Sequence, residues 1–135
     1  MLGTNDVKTE FGLSVDKLIG QWEAFLDDVA RYARAATVVL VSPIRIDPEQ
    51  PRFAVDMVAF DAGSVAKADR FAEAYAALAR RRGLLFLDAA GVAAAGADGI
   101  HLTGAGHARL ADAVAAVILT GQPSSTTAGA ATGTR

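Results

Sequence analysis

Two short runs, Thr37-Val38-Val39-Leu40-Val41 and Leu84-Leu85-Phe86-Leu87, are apolar on both faces of an extended chain. A strand with one wet face alternates apolar and polar residues, so a strand apolar throughout must be covered on both sides, as in a parallel sheet. The stretches around these runs have a different period. Val15, Leu18, Ile19, Trp22, Phe25, Leu26, Val29 and Ala30 recur at three- and four-residue steps over residues 14–34, the stripe of an amphipathic helix. Ser14 is placed to cap it, and Asp16 sits where a carboxylate complements the helix dipole. A second helix is predicted over 64–82, with Phe71, Ala72, Tyr75, Leu78 and Ala79 inward and Gly83 as its stop. A third runs from Thr103 or Gly104 to about Leu119, carrying Leu110, Ala111, Val114, Val117 and Ile118 inward. Strands that alternate with helices predict an α/β fold, a parallel sheet with right-handed crossovers between helical layers.

Residues 43–62 hold prolines at 43, 48 and 51 and show no period, which predicts a long loop at the C-terminal end of the first strand. Loops in that position often shape a site. Arg80, Arg81 and Arg82 crowd the end of the second helix and read as dipole complementation and solubility. From Gly121 the chain is Gly, Ser, Thr and Ala with one proline, so residues 1–119 are expected to form the domain and 120–135 a disordered low-complexity tail.

With 135 residues, 52% of them hydrophobic and 21% charged, the chain suits one packed domain rather than two. A net charge near −2 offers no basic stripe for nucleic acid or an anionic membrane. No apolar run approaches the roughly 20 residues that span a bilayer. The start does not resemble a signal peptide either, an observation that is silent on export if further chain precedes Met1. Cysteine is absent, which removes disulfides, thiolate metal sites and cysteine nucleophiles; this suits the cytosol without excluding secretion.

Two short blocks carry chemistry. In Asp98-Gly99-Ile100-His101 the spacing lets the carboxylate fold back onto Nδ1 of the imidazole, fixing its tautomer and leaving Nε2 free as a base. Asp-Gly is also a common turn dipeptide, and a histidine before a helix is often only a cap. In Gly3-Thr4-Asn5-Asp6 the glycine allows close backbone approach, and the Asn5 amide can donate to a developing oxyanion. Asn-Asp is equally ordinary loop material. His107 is six residues beyond His101, a spacing that does not place both on one helix face for a metal. No Gly-x-Gly-x-x-Gly or P-loop points to a nucleotide.

Met1 to Lys8, followed by Phe11-Gly12-Leu13 and a helix, resembles the third block of the SGNH (GDSL-like) ester hydrolases, closest to their arylesterase and perhydrolase-like branch. Phe86-Leu87-Asp88-Ala89 followed by Asp98 to Thr103 is similar to the fifth block of the same branch. The resemblance covers residues 1–119 and implies His101 as general base, Asp98 as its orienting carboxylate, and Asn5 with Gly3 at the oxyanion hole. It implies a serine ester hydrolase or acyltransferase acting on small acyl esters with no metal or organic cofactor. Asp6 is left to loop structure.

The block that should carry the nucleophile has no counterpart here. Of Ser14, Ser42, Ser64, Ser124 and Ser125, only Ser42 ends a strand, and it precedes Pro43 without the glycines of a nucleophile elbow. Ser14 and Ser64 read as helix caps. The implied fold is therefore a flavodoxin-like three-layer α/β/α parallel sheet lacking its first two strand–helix units, roughly 60 residues at about 30 per unit. What remains is a stub of strand three with strands four and five. Strand four should then expose its inner edge and apolar faces, an edge open to pairing with a second copy, so the chain alone is expected to be poorly soluble or only partly folded. A chain without a nucleophile also fits a non-catalytic binding or assembly module.

Overall fold

The structure is a computed structural model that describes residues 1–121; the low-complexity segment from residue 122 lies outside them. Two 3-10 turns, Asn5–Val7 and Thr9–Phe11, lead into α1 (Val15–Tyr32), followed by β1 (Val39–Ser42). Then come α2 (Phe53–Asp56), α3 (Ala62–Ala68), α4 (Phe71–Arg82), β2 (Leu85–Asp88), a 3-10 turn at Ala89–Gly91 and α5 (Gly104–Thr120). The strands pair in parallel with Val39 opposite Leu85 and Ser42 opposite Asp88.

Three layers follow from the pleat. Leu40 and Phe86 point into a cluster with Leu18, Leu26, Phe71, Tyr75 and Leu78 of α1 and α4. Their neighbours Val39, Val41, Leu85 and Leu87 face the other way, onto Leu110, Val114 and Val117 of α5. The two-residue alternation of strand side chains thus explains why both runs are apolar throughout.

Several expectations are corrected. The stretch read as one helix is two, because Asp61 caps α3 through Ser64 and a turn at Asp69–Arg70 separates it from α4. Ser64 is accordingly the third residue of a capping box, with Asp61 as the cap. The buried positions Ser64, Ala68, Phe71, Tyr75 and Leu78 keep a four-three rhythm across that turn, so periodicity alone could not reveal it. The 43–62 segment holds the single turn of α2 and is anchored by buried Ile44, Ile46, Phe53 and Phe60. On α5, Ala111 and Ile118 face outward while Gly106 and Ala113 pack inward, since a sheet of two strands covers only a narrow face. Phe25 and Ala30 of α1 are exposed as well.

Residues 1–3 form no strand among the described residues. The apolar faces of β1 are nevertheless covered, with Leu40, Val41 and Ser42 all buried. Large apolar surface appears elsewhere, at Met1, Leu2, Phe11 and Phe25. The arginine run does more than complement a dipole: Arg81 pairs with Glu23 at 2.7 Å and Arg82 with Asp27, tying α4 to α1. Gly83 ends α4 at φ +66°, and Leu84 N donates back to the Ala79 carbonyl at 2.9 Å, a Schellman closure.

Candidate functional site

β1 and β2 end side by side, and a buried hydroxyl joins their ends: Ser42 Oγ donates to Asp88 Oδ1 at 2.9 Å. The same carboxylate oxygen accepts from Ala90 N at 3.1 Å and starts the loop after β2. That loop closes on itself. Gly96 N donates to the His101 carbonyl at 2.7 Å, and Ala95 bridges Leu102 in antiparallel fashion.

The four residues at its tip are over-determined. Asp98 Oδ1 accepts the backbone amides of Ile100 at 2.9 Å and His101 at 2.8 Å, while Oδ2 lies 2.7 Å from His101 Nδ1. The two backbone amides, then the imidazole, hold the Asp98 carboxyl down to a pKa of about 2. An ionised carboxylate only accepts, so Nδ1 carries the proton and Nε2 is the free basic nitrogen. The imidazole is 73% exposed and the carboxylate 23%, so Nε2 faces open space rather than the core.

Gly99 allows this turn. Its φ is +78°, and a Cβ there would overlap the Asp47 carbonyl oxygen and come within 2.8 Å of Phe53 Cδ2. Asp47 N donates to the Gly99 carbonyl at 2.9 Å and Arg52 N to that of Ala97 at 3.0 Å. The long 43–62 segment is therefore the platform on which the Asp98–His101 loop rests.

Gly3 is buried at φ +128°, with a Cβ there 2.6 Å from Tyr75 Oη and 3.3 Å from Pro43 Cγ. Since Pro43 follows the last residue of β1, Gly3 stands at the same end of the sheet as the loop after β2. Asn5 opens the first 3-10 turn and is exposed; Asp6 N folds back onto the Gly3 carbonyl at 3.0 Å. Among the described residues the structure brings Asp98 and His101 into direct contact, and no hydrogen bond links Asn5 to that pair.

The described serines are all engaged elsewhere. Ser14 Oγ caps α1 by accepting from Lys17 N, Ser42 is fully buried against Asp88, and Ser64 Oγ donates to the Val7 carbonyl. His107 is exposed in the first turns of α5. No group of three or more histidine, aspartate or glutamate side chains among the described residues is placed to hold a metal ion. An apolar groove of about 180 Å³ beside the Gly3–Asp6 turn is lined by Leu2, Asp6, Leu18, Gln21, Trp22 and Phe25. A wider one of about 350 Å³ runs between the loops after β1 and β2, past Arg45, Asp47, Asp69 and Ala93. The Asp98–His101 pair lines neither.

Sequence reasoning missed the Ser42–Asp88 link and the contacts of Tyr75 and Ser64 with the N-terminal turn. Polar residues ending two adjacent buried strands were the one available signal for the first; the others join residues more than fifty positions apart.

Residues 1–109 match the GDSL-like lipase/acylhydrolase family. Among solved structures, the native aryl esterase of M. smegmatis is 29% identical with a TM-score of 0.74, over 89% of this chain and 58% of that one. Its inhibitor-bound form is 31% identical with a TM-score of 0.77 over the same shares, 89% and 58%. A carbohydrate acetylesterase from Sinorhizobium meliloti is 27% identical with a TM-score of 0.77, over 88% of this chain and 58% of that one. The chain thus spans about 58% of the length of these solved structures. No curated protein gives a significant match. On the family match over most of its length and the shared fold, the chain belongs to the GDSL-like lipase/acylhydrolase family.

Proposed function

We propose that this chain carries the acid–base part of a serine ester hydrolase or acyltransferase for small acyl esters, with the serine supplied by a segment other than residues 1–121. The observation that carries the reading is the 2.7 Å contact of Asp98 Oδ2 with His101 Nδ1, made by a carboxylate whose other oxygen is locked by two backbone amides. Such a pair fixes the ring in one tautomer and leaves Nε2 to take a proton. Similarity to an aryl esterase and to a carbohydrate acetylesterase supports a small acyl ester as substrate.

In this mechanism the serine oxygen attacks the acyl carbon while its proton passes to His101 Nε2. The carbonyl oxygen becomes an oxyanion, and the Asn5 side-chain amide and the Gly3 N–H are its assigned donors in this reading. Collapse of the intermediate breaks the ester C–O bond, and the leaving alkoxide takes the proton from Nε2. Water, deprotonated by the same nitrogen, then attacks the acyl carbon. The acyl–serine bond breaks, the serine oxygen takes the proton back from Nε2 and the acid leaves; an acceptor alcohol in place of water gives acyl transfer. Asp98 stays ionised throughout and steadies the imidazolium. Each step uses side chains and backbone only, with no metal or organic cofactor.

His101→Ala, made in the chain completed with a serine-bearing segment of a homologous aryl esterase, tests the assignment with a chromogenic short-chain ester. We expect a loss of at least about a thousandfold in kcat; unchanged turnover removes His101 from the reaction. A second reading, a non-catalytic α/β module, is favoured by the engagement of Ser14, Ser42 and Ser64 away from His101. It applies to the 135-residue chain by itself, for which ester turnover above the uncatalysed rate is not expected.

A further inference from the structure

The turn that bears Gly3 and Asn5 is short, exposed at Asn5 and held by only three internal bonds. Asp6 N, Val7 N and Lys8 N donate to the carbonyls of Gly3, Thr4 and Asn5 at 3.0, 3.4 and 3.2 Å. A 3-10 coil of this length frays readily when its ends are free. Its ends are not free.

At the front, Tyr75 Oη meets the Leu2 carbonyl at 2.7 Å and also lies 2.7 Å from Trp22 Nε1. An indole nitrogen can only donate, so Trp22 fills the acceptor side of the phenol and directs its single proton to Leu2. The ring cannot turn away. Tyr75 is fully buried, with Trp22 packed edge-on at 5.8 Å and Phe71 at 5.6 Å between ring centroids. Burial also raises the phenol pKa to about 12, so it remains a donor across the working range.

At the back, buried Ser64 Oγ lies 2.7 Å from the Val7 carbonyl and 3.1 Å from Asp61 Oδ1. The Val7 carbonyl is the nearer of the two acceptors. Asp61 and Ser64 are themselves locked as the capping box of α3. Gly3 completes the fit, because any Cβ there would strike Tyr75 Oη at 2.6 Å.

We infer that Tyr75 and Ser64 are positioning residues, two buried hydroxyls from α4 and α3 that grip the carbonyls on either side of the Gly3–Asp6 turn and set the direction of the Asn5 amide. The catalytic consequence rests on the proposed role of Asn5; the clamp itself does not.

Hydrogen exchange on the 135-residue chain tests the clamp through Tyr75→Phe and, separately, Ser64→Ala. The amides of Asp6, Val7 and Lys8 are expected to exchange about tenfold faster in each variant, with those of α1 and α5 unaltered. Rates at the three amides within about twofold of the unsubstituted chain overturn the clamp, as does an equal acceleration in every element. In the esterase completed with a serine-bearing segment, Tyr75→Phe should lower kcat about tenfold with KM within about twofold, and should add nothing beside Asn5→Ala. A loss from Tyr75→Phe that persists undiminished beside Asn5→Ala overturns the positioning role. An Asn5→Ala enzyme with unaltered kcat removes the oxyanion assignment, and the catalytic part of the inference with it, in a variant that leaves both hydroxyls in place.

Discussion

Gly99 lies directly against Asp47: the Asp47 amide donates to the Gly99 carbonyl at 2.9 Å, and the Asp47 carbonyl oxygen fills the place of any Cβ on Gly99. The residue that follows Asp98 on the way to His101 is therefore fixed from outside its own loop.

Gly99→Ala should be the most damaging small substitution in this region. A positive φ costs an alanine about 1–2 kcal/mol. The overlap with the Asp47 backbone adds to that, because backbone cannot step aside as a flexible side chain can. We expect a total loss of about 2–4 kcal/mol in urea unfolding. A variant that melts like the parent would mean that the two loops do not meet as described.

Asp98 makes stability depend on acid in a defined window. Its backbone and imidazole partners depress the folded pKa to about 2, whereas an unfolded aspartate titrates near about 4. A depressed carboxyl stabilises fully above the unfolded value, and that contribution disappears as pH falls toward the folded one. The chain should thus lose stability between pH about 4 and about 2, and Asp98→Asn should flatten the curve there. Urea midpoints measured across that range decide it; equal slopes for both proteins would deny the lock.

Much of this was readable in advance, for physical reasons that differ by scale. The two apolar runs became β1 and β2 because covered strands need apolar residues on both faces, and Ser14 and Gly83 cap α1 and α4 as their types suggest. Asp98 and His101 meet because their contact spans three residues and needs only a local turn. Contacts between distant segments left no trace in the pattern. Asp47 beneath Gly99, Tyr75 on Leu2 and Glu23 with Arg81 all arise from how the layers dock, which no window of neighbouring residues encodes. The bend between α3 and α4 was hidden for the opposite reason, since the apolar rhythm continues straight through it.

Ser42 ends a strand at the site end of the sheet, so its exclusion as nucleophile calls for a direct check. Its hydroxyl is fully buried and its proton is given to Asp88. Ser42→Ala should cost about 1 kcal/mol through the lost bond, while the half-buried Asp88 carboxylate keeps Ala90 N and reaches water. In the serine-completed enzyme, kcat for a short-chain ester should stay within about twofold. Collapse of turnover at preserved stability would return Ser42 to the mechanism.

The apolar surface of this chain sits in a different place from the one that its strand pattern suggests, and that alters which substitutions should improve its behaviour. β1 is covered, whereas Leu2 is 64% and Phe25 54% exposed at the rim of the same groove. Exposed apolar side chains gathered in one patch promote association, and replacing them costs little because they bury little. Leu2→Ser with Phe25→Ser should therefore raise the solubility of the 135-residue chain and lower its binding of an apolar dye, at less than about 1 kcal/mol in stability. Val39→Ser, which removes a side chain packed between β1 and α5, should lower both stability and solubility. Concentration at the onset of light scattering, measured with urea midpoints for the same proteins, distinguishes the two cases. A gain in solubility from Val39→Ser and none from the Leu2 and Phe25 pair would put the sticky surface back on the sheet.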